Sequence, residues 1–545
     1  MNLNKSWKYE DLPKSENASV NPPVFPSSLV SKPKIVLPSG NVSLTDTAKQ
    51  LFPLLKETHR IFRRGDKFFI IFSNGEKLRP LTPDAARSEF DKVAFLIVWR
   101  GGGEGELKQV LTNKCPRETA VGLLETQEAK TIIPEVLGVV NFPIITEKDG
   151  KIHVSGKGYD AETKMFVFKS EKPLQVLFSD AKAALFDLVS DFDFVTPSDK
   201  TRAIASILTP ALKLGGFING SVPCDVAEAN ESQSGKTFRH KIIAAIYNEN
   251  LSIITNRKGG VGSVDESFNQ SLVNGSPFLQ LENFRGKVDS QHIEAFMTAE
   301  GRFDARIPHV GNVEIDPSKY FLFLTSNGVE STRDFANRSS ICRIKKQPSD
   351  YKFKEYPEGD LLTHIKKNQP FYLGCVFAVI QEWHAKGKIK KQPPQHDFRD
   401  WASTLRAVTE DILGLAPLMD GHLLAQVRVS NPSLNFVRNL CLAMEQTGEW
   451  GHGLNASKLA EFAFDHEIEI PGGRPEDVGD VSKANKIIGI KMATLFKEGT
   501  RCEVESFFVT RTEQNTYRGE KGYILEKLYS FGKDSPQPHN PHNPV

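Results

Sequence analysis

Positions 230–237 read NESQSGKT and run directly into FRHKIIAAIYNE. Ser234, Gly235, Lys236 and Thr237 are the closing letters of a phosphate-binding loop. Such a loop works because consecutive backbone N–H groups and a helix N-terminus converge on one anion. The lysine adds a point charge for the β- and γ-phosphates, and the Ser/Thr hydroxyl holds Mg²⁺. The motif's opening glycine is replaced by Asn230. Asparagine tolerates left-handed backbone better than other side-chain-bearing residues, so the departure is mild. The stretch Asn230, Glu231, Ser232, Gln233, Ser234, Gly235, Lys236, Thr237 and Phe238 is therefore expected to cradle a nucleotide, with ATP and Mg²⁺ as the ligands.

Polar residues follow at strand ends downstream. FLQLEN closes on Glu282-Asn283, and FLFLTSN closes on Asn327. Arg338 stands in DFANRSSICRI, eleven residues after Asn327. Glu282 and Thr237 are the expected groups around the metal. A second carboxylate after Glu282 would polarise the attacking water, and Asn283 cannot accept a proton. Either Asp289 or Glu294, on the segment that follows, takes that role, or hydrolysis is slow.

NESQSGKT, FLQLENFRGKVDS, FLFLTSNG and DFANRSSICRI, in that order, resemble the AAA+ helicase-like ATPases of phages, plasmids and integrated elements. More distantly they resemble superfamily III viral replicative helicases. The resemblance covers about residues 90–530, is strongest over 225–345, and rests on motif order more than on identity. It implies a catalytic set of Lys236, Glu282, Asn283, Asn327 and Arg338. Asn327 would report the γ-phosphate, and Arg338 would be a finger completing a neighbouring subunit's site. It also implies a hairpin within GRFDARIPHVGNVEIDPSKY (301–320), with Arg302, Arg306 and His309 on or near a tip that grips DNA in the pore of a hexamer. An ordinary structural hairpin remains the alternative. PEVLGVVNFPIITEKDGKIHVSGKGYD (134–160) resembles the domain that precedes the ATPase in these proteins.

The totals agree with a large globular chain. Its 545 residues allow roughly two to four domains. A formal net charge of +2 gives no overall basic field, so any nucleic-acid surface must be local. The six cysteines are dispersed without a CxxC pair, which suits a reducing cytosol and argues against a structural zinc site. The apolar run FYLGCVFAVI is too short to span a bilayer, and the first residues lack a signal-peptide core. A cytoplasmic protein with no membrane partner is expected.

These elements need a scaffold. The pattern predicts a multidomain α/β chain: a disordered arm over 1–46, an N-terminal α+β domain over 47–178, and a P-loop ATPase core with a helical lid over 179–425. A winged-helix-like domain follows over 426–532, then a disordered tail over 533–545. Strands at 251–255, 278–282 and 320–325 alternate with helices, the mark of a parallel sheet covered on both faces. FRDWASTLRAVTEDILG reads as a lid helix burying Trp401, Leu405, Val408 and Ile412. KGKIKK (386–391) is either a solvated loop or a phosphate contact through Lys388 and Lys390. Lys483, Lys486 and Lys491 fall on the second helix of the winged-helix pattern, with Arg511 and Arg518 on its wing.

The expected function is an ATP-driven, ring-forming motor on single-stranded or forked DNA, a homo-oligomer and probable hexamer by resemblance, serving a mobile element or defence against one. The N-terminal domain would recruit DNA or replication or defence proteins. An ATP-holding switch with weak turnover and a winged-helix regulator of DNA are the alternatives.

Overall fold

The computed structural model describes residues 32–71, 77–101, 107–112, 114–229, 233–254, 263–282, 287–288, 290–307, 311–327, 330–394, 396–448, 453–471, 478–497, 499–504, 507–513 and 521–527. It is a mixed α/β, multidomain chain whose backbone divides into two compact units.

The first unit comprises the chain up to residue 58 together with 82–133. Its helix Leu44–Glu57 begins at Ser43, whose hydroxyl accepts the Asp46 N–H at 3.2 Å. The Asp46 carboxylate in turn accepts the Ser43 N–H, closing a capping box. Strand Lys34–Val36 pairs parallel with Phe95–Gly101, which pairs antiparallel with Leu107–Leu111. The arm expected over 1–46 does not hold for 34–37: Lys34–Val36 is a strand, with Ile35 and Leu37 buried. Residues 1–31, and the tail expected over 533–545, lie outside the described residues.

Residues 59–81 and 134–178 belong to the second unit, so 47–178 is not one compact body. Arg64, on strand Ile61–Arg64, shows why. Its buried guanidinium donates to the carbonyls of Val136 (3.3 Å) and Leu272 (3.0 Å) and to the Tyr320 hydroxyl (2.8 Å). A buried guanidinium with several partners is costly to detach, so this strand stays with the segments it bonds.

The centre of the second unit is a six-stranded sheet. Its main elements are β1 (Cys224–Ala229), α1 (Lys236–Ile246), β2 (Ser252–Ile254), α2 (Val264–Asn274), β3 (Phe278–Leu281) and α3 (Gln291–Thr298). A hairpin of β4 (Phe303–Ile307) and β5 (Gly311–Ile315) follows, then β6 (Phe321–Ser326), α4 (Arg333–Asn337) and β7 (Ser339–Lys345). The strands lie in the order β7-β1-β6-β3-β2, all parallel, with Asp193–Phe194 added antiparallel beside β7.

Every residue of β1, β3 and β6 is buried, as expected of strands covered on both faces. Alternation along β6 separates the two faces. Phe321 and Phe323 join a core with helix Pro197–Leu214 and helix Gln369–Ala385. Leu322 and Leu324 join another with α2 and α3. The segment Arg399–Arg406 continues as a wider π-type turn over Ala407–Ile412, and buries Trp401, Leu405 and Val408 in the first core, with Ile412 half-buried at its edge.

Beyond it come α5 (His422–Val429), α6 (Pro432–Thr447), α7 (Ala456–Asp465) and α8 (Val481–Leu495). A three-stranded antiparallel sheet ends the described chain, with β8 (Arg501–Val504), β9 (Phe507–Glu513) and β10 (Lys521–Lys527). These close on one core of their own, built around Phe436, Leu459, Ile488 and Val509.

Candidate nucleotide site

Strand register decides which candidate residues meet. Glu228, near the end of β1, pairs with Ser326, the last residue of β6. Leu281, the last of β3, pairs with Leu324. The loop after β1, Glu282 after β3 and Asn327 after β6 therefore share one edge of the sheet, the carboxyl ends of parallel strands. Open α/β sheets place their ligands at that edge.

α1 starts at this edge with Gly235 as its N-cap, at φ 88° and without a capping side-chain bond. A Cβ at position 235 would lie 2.9 Å from the Phe192 ring, so only glycine satisfies both the dihedral and the space. The first N–H groups of α1 face the loop uncapped by a side chain, the arrangement that receives an anion. Lys236 Nζ donates to Asn327 Oδ1 at 2.6 Å and to Ser234 Oγ at 3.1 Å. Two of the catalytic candidates are thus in direct contact.

They open into a cavity of about 900 Å³. Gln233, Ser234, Gly235, Lys236, Thr237 and Phe238 line it, opposite Glu282, Thr325 and Asn327. Phe192, Tyr351 and Phe353 line it too, with the Phe192 ring beside Gly235. An ammonium, helix N–H groups and aromatic rings in one cavity fit a nucleoside triphosphate. The Thr237 hydroxyl and the Glu282 carboxylate are the oxygen donors beside the lysine that suit Mg²⁺.

Behind the loop, a buried network fixes α1 to the sheet. Arg239 Nη2 donates to Asp225 Oδ1 at 2.5 Å, and His240 Nδ1 lies 2.9 Å from Gln280 Oε1. Burial, reinforced by Arg239, pushes His240 down to about 3, so this imidazole is neutral.

Burial also lowers Lys236, to about 8, against the opposing pull of Glu228. The sign follows directly. An anionic ligand favours the charged lysine, so above its free-state pKa a proton must be taken up with the ligand. Triphosphate affinity is expected to be flat below neutral pH and to decline above pH 8, by up to about tenfold per pH unit. Calorimetric titrations in buffers of different ionisation enthalpy would read that proton uptake. Affinity unchanged to pH 9.5 would contradict it.

Other candidates fall elsewhere. Asn230, Glu231, Ser232, Asn283, Asp289, His309 and Arg518 lie outside the described residues. Glu294 is not in the cavity: its carboxylate accepts the hydroxyl of Thr332, the N-cap of α4. Glu294 is thus engaged by the capping threonine and lies outside the cavity lining, which does not favour it as the group that activates water.

Arg338 sits at the opposite sheet edge from the loop. Its carbonyl accepts the N–H of Cys224, the first residue of β1, at 2.9 Å. Six residues of β1 separate the two ends, about 20 Å at the rise of a strand. Among the described residues, its side chain makes long ion pairs to Asp334 at 3.8 Å and Asp397 at 3.9 Å.

In the hairpin, Phe303 pairs with Ile315 and Arg306 with Asn312. Arg306 is exposed next to the turn, whereas Arg302 precedes β4 at the open end and pairs with Glu314 at 3.2 Å. Arg302 is therefore not a tip residue. In the lysine run, Lys388 pairs with Glu147, and Lys390 donates to Asp400 Oδ1 (2.7 Å) and the Phe217 carbonyl (3.1 Å). These lysines tie the run to neighbouring segments of their own chain. Arg406 donates to the Gln392 carbonyl at 2.9 Å and pairs with Glu410. Arg511 donates to the Phe496 carbonyl at 3.0 Å, whereas Lys483, Lys486 and Lys491 are exposed on α8.

Sequence reasoning missed Phe192, Phe353, Glu228 and Arg428. None belongs to a motif, and each acquires its position only through folding. Arg428, on α5, makes a bidentate pair with Glu228, one bond at 2.9 Å, and both side chains are almost fully buried.

No family model matches the chain, and no curated protein matches it. It is similar to solved structures described as the apo A form of the NrS-1 C-terminal region. The identity is 11%, over 87% of this chain and 98% of that one, with a TM-score of 0.36. Another structure of that apo A form, described as spanning 305–718, gives 9% identity over 88% of this chain and 100% of that one, with a TM-score of 0.34. A structure described as SCCmec type IV Cch, active helicase, gives 10% identity over 86% and 97%, with a TM-score of 0.28. Likenesses this slight decide nothing, and the strand order and site geometry stand by themselves. Among the described residues, no helix is long and apolar enough to cross a membrane.

Proposed function

We propose that the chain is a ring-forming AAA+ ATPase that drives movement along single-stranded or forked DNA. The observation that carries this reading is the strand order β7-β1-β6-β3-β2, with Lys236, Glu282 and Asn327 at one edge and Arg338 at the other. An arginine at that opposite edge is out of reach of its own chain's phosphates. It can serve only a second copy's nucleotide, which is what a ring provides.

In this reading Lys236 and the N–H groups of α1 bind the β- and γ-phosphates. Asn327, which holds the Lys236 ammonium in the structure, turns toward the γ-phosphate as the lysine does. Thr237 and Glu282 would hold Mg²⁺, which neutralises phosphate charge when bound. The helices after β7 form the lid, α6–β10 the winged-helix-like domain, and the β4–β5 hairpin presents Arg306 to DNA. Exposed Lys483, Lys486 and Lys491 make α8 the face of that domain suited to a phosphate backbone. A role in replication of a mobile element, or in defence against one, belongs to the same proposal, as do a cytoplasmic setting and partners for the N-terminal segments.

The engagement of Glu294 by Thr332 favours a second reading, a platform that holds ATP and turns it over slowly, since one replacement for the missing carboxylate is already occupied. ATP turnover measured with and without single-stranded DNA separates the two. The motor predicts stimulation of several-fold, most of it lost in Arg306→Ala. Turnover indifferent to single-stranded DNA would sink the motor, and slow turnover with tight binding would leave the platform.

A further inference from the structure

The described surface of the second unit carries few large exposed apolar side chains, and three of them lie together. Leu423, Leu424 and Val427 on α5 are 54%, 58% and 56% exposed. Positions i, i+1 and i+4 of a helix form one stripe. The opposite face of α5 is committed: Ala425 and Val429 enter the core beside β7 and α4, and Arg428 binds Glu228.

This stripe is held rigidly beside Arg338. Gln426 Nε2 donates to the carbonyls of Ala336 (3.0 Å) and Asn337 (3.2 Å), the last turn of α4 immediately before Arg338. A groove of about 310 Å³ runs between the two helices, lined by Leu423, Gln426 and Val427 on one side and by Arg333 and Asn337 on the other. His396, Asp397 and Arg399 line both this groove and the one that Arg338 borders, so the stripe adjoins the approach to Arg338.

The approaching surface is defined by the nucleotide site, so the inference rests on the reading of that site given above. For Arg338 to reach phosphate, the mouth of another copy's cavity has to close over this edge. The mouth is formed by the segment 345–361, whose Phe353 is 63% exposed at its rim. An apolar stripe beside the arginine and an exposed aromatic beside the phosphates are complementary halves of one contact. They lie on different faces of the chain, so the contact is head-to-tail, the type that closes into rings.

We infer that Leu423, Leu424 and Val427 form the docking surface for a second copy of this chain, packing on the rim segment 345–361 around Phe353 and delivering Arg338 to that copy's nucleotide. The stripe then explains why solvent-facing positions of a short helix are leucine and valine, an arrangement that would otherwise promote nonspecific association.

The test places a photoreactive benzoylphenylalanine at position 423 in the full-length protein. This protein is mixed with ¹⁵N-labelled wild type in the presence of a non-hydrolysable ATP analogue, irradiated, and mapped by mass spectrometry. Cross-links from position 423 to residues 345–361 of a labelled chain are expected. The variant Leu423→Ser/Val427→Ser should need at least about tenfold higher concentration to assemble, read by mass photometry. Cross-links to 422–429 of another copy, to the chain's own residues 528–545, or to no other chain would each overturn the proposal. Analogue binding by the wild type in the same samples separates the two claims. Binding without inter-chain cross-links overturns the interface alone, and absence of binding overturns the nucleotide site and the interface with it.

Discussion

Lys236→Ala is expected to abolish ATP turnover, with a loss of at least about 10²–10³-fold, the scale of removing one preorganised donor to transition-state charge. The lysine is the buried cation of the cavity's polar end, placed by α1 and oriented by Asn327 and Ser234. Folding should not suffer. Burial already disfavours the charged lysine, as its lowered pKa shows, so an alanine removes a desolvated ammonium rather than a packing contact. Unchanged circular dichroism and an unchanged unfolding midpoint, alongside lost turnover and weakened triphosphate binding, would confirm the assignment. Turnover retained within a few-fold of wild type would remove Lys236 from the chemistry and with it the motor reading.

Arg428→Ala is expected to have the largest effect on stability. Glu228 and Arg428 are among the most buried charged side chains of the chain, and Asn435 Oδ1 accepts a further bond from the guanidinium at 3.1 Å. Removing Arg428 takes from the buried Glu228 its bidentate ion pair, at a cost of up to about 3–5 kcal/mol. For a unit of this size the unfolding midpoint should fall by roughly 3–6 °C. Glu228 lies two residues before the phosphate loop, so nucleotide affinity should fall as well. The double variant Glu228→Gln/Arg428→Met replaces both charges and should recover much of the lost stability, which a double-mutant cycle would read. A single variant as stable as wild type would show that the pair does not hold α5 to the sheet.

Legibility in the sequence differed from element to element for physical reasons. The parallel sheet was visible because strands covered on both faces are continuous apolar runs, as in FLQL and FLFL. The loop was visible because SGKT leads straight into an amphipathic helix. Arg338 came from the resemblance, which places an arginine at that distance after Asn327. The hairpin was expected, yet Arg302 was placed near its tip; only the pairing of Phe303 with Ile315 puts it at the base. The lysine run over 386–391 read as either a solvated loop or a phosphate contact, because sequence does not show that Lys388 pairs with Glu147, 241 residues away, or Lys390 with Asp400. Residues 33–46 read as an arm because a three-residue strand is too short for periodicity to reveal.

By itself, then, the sequence determined what is encoded locally: helix starts, apolar strands, and a loop whose residue types suit phosphate. Those depend on dihedral preferences, side-chain chemistry and periodicity within a few residues. The tertiary structure decided what depends on register and long-range pairing. It brought Lys236 to Asn327 across 91 residues and set Arg338 at the far edge of the sheet. It assigned Glu294 to a helix cap, joined Glu228 to Arg428 across 200 residues, and left Leu423, Leu424 and Val427 facing outward. Contacts between residues so far apart in the chain leave no local pattern, because they exist only once parallel strands have fixed which ends share an edge.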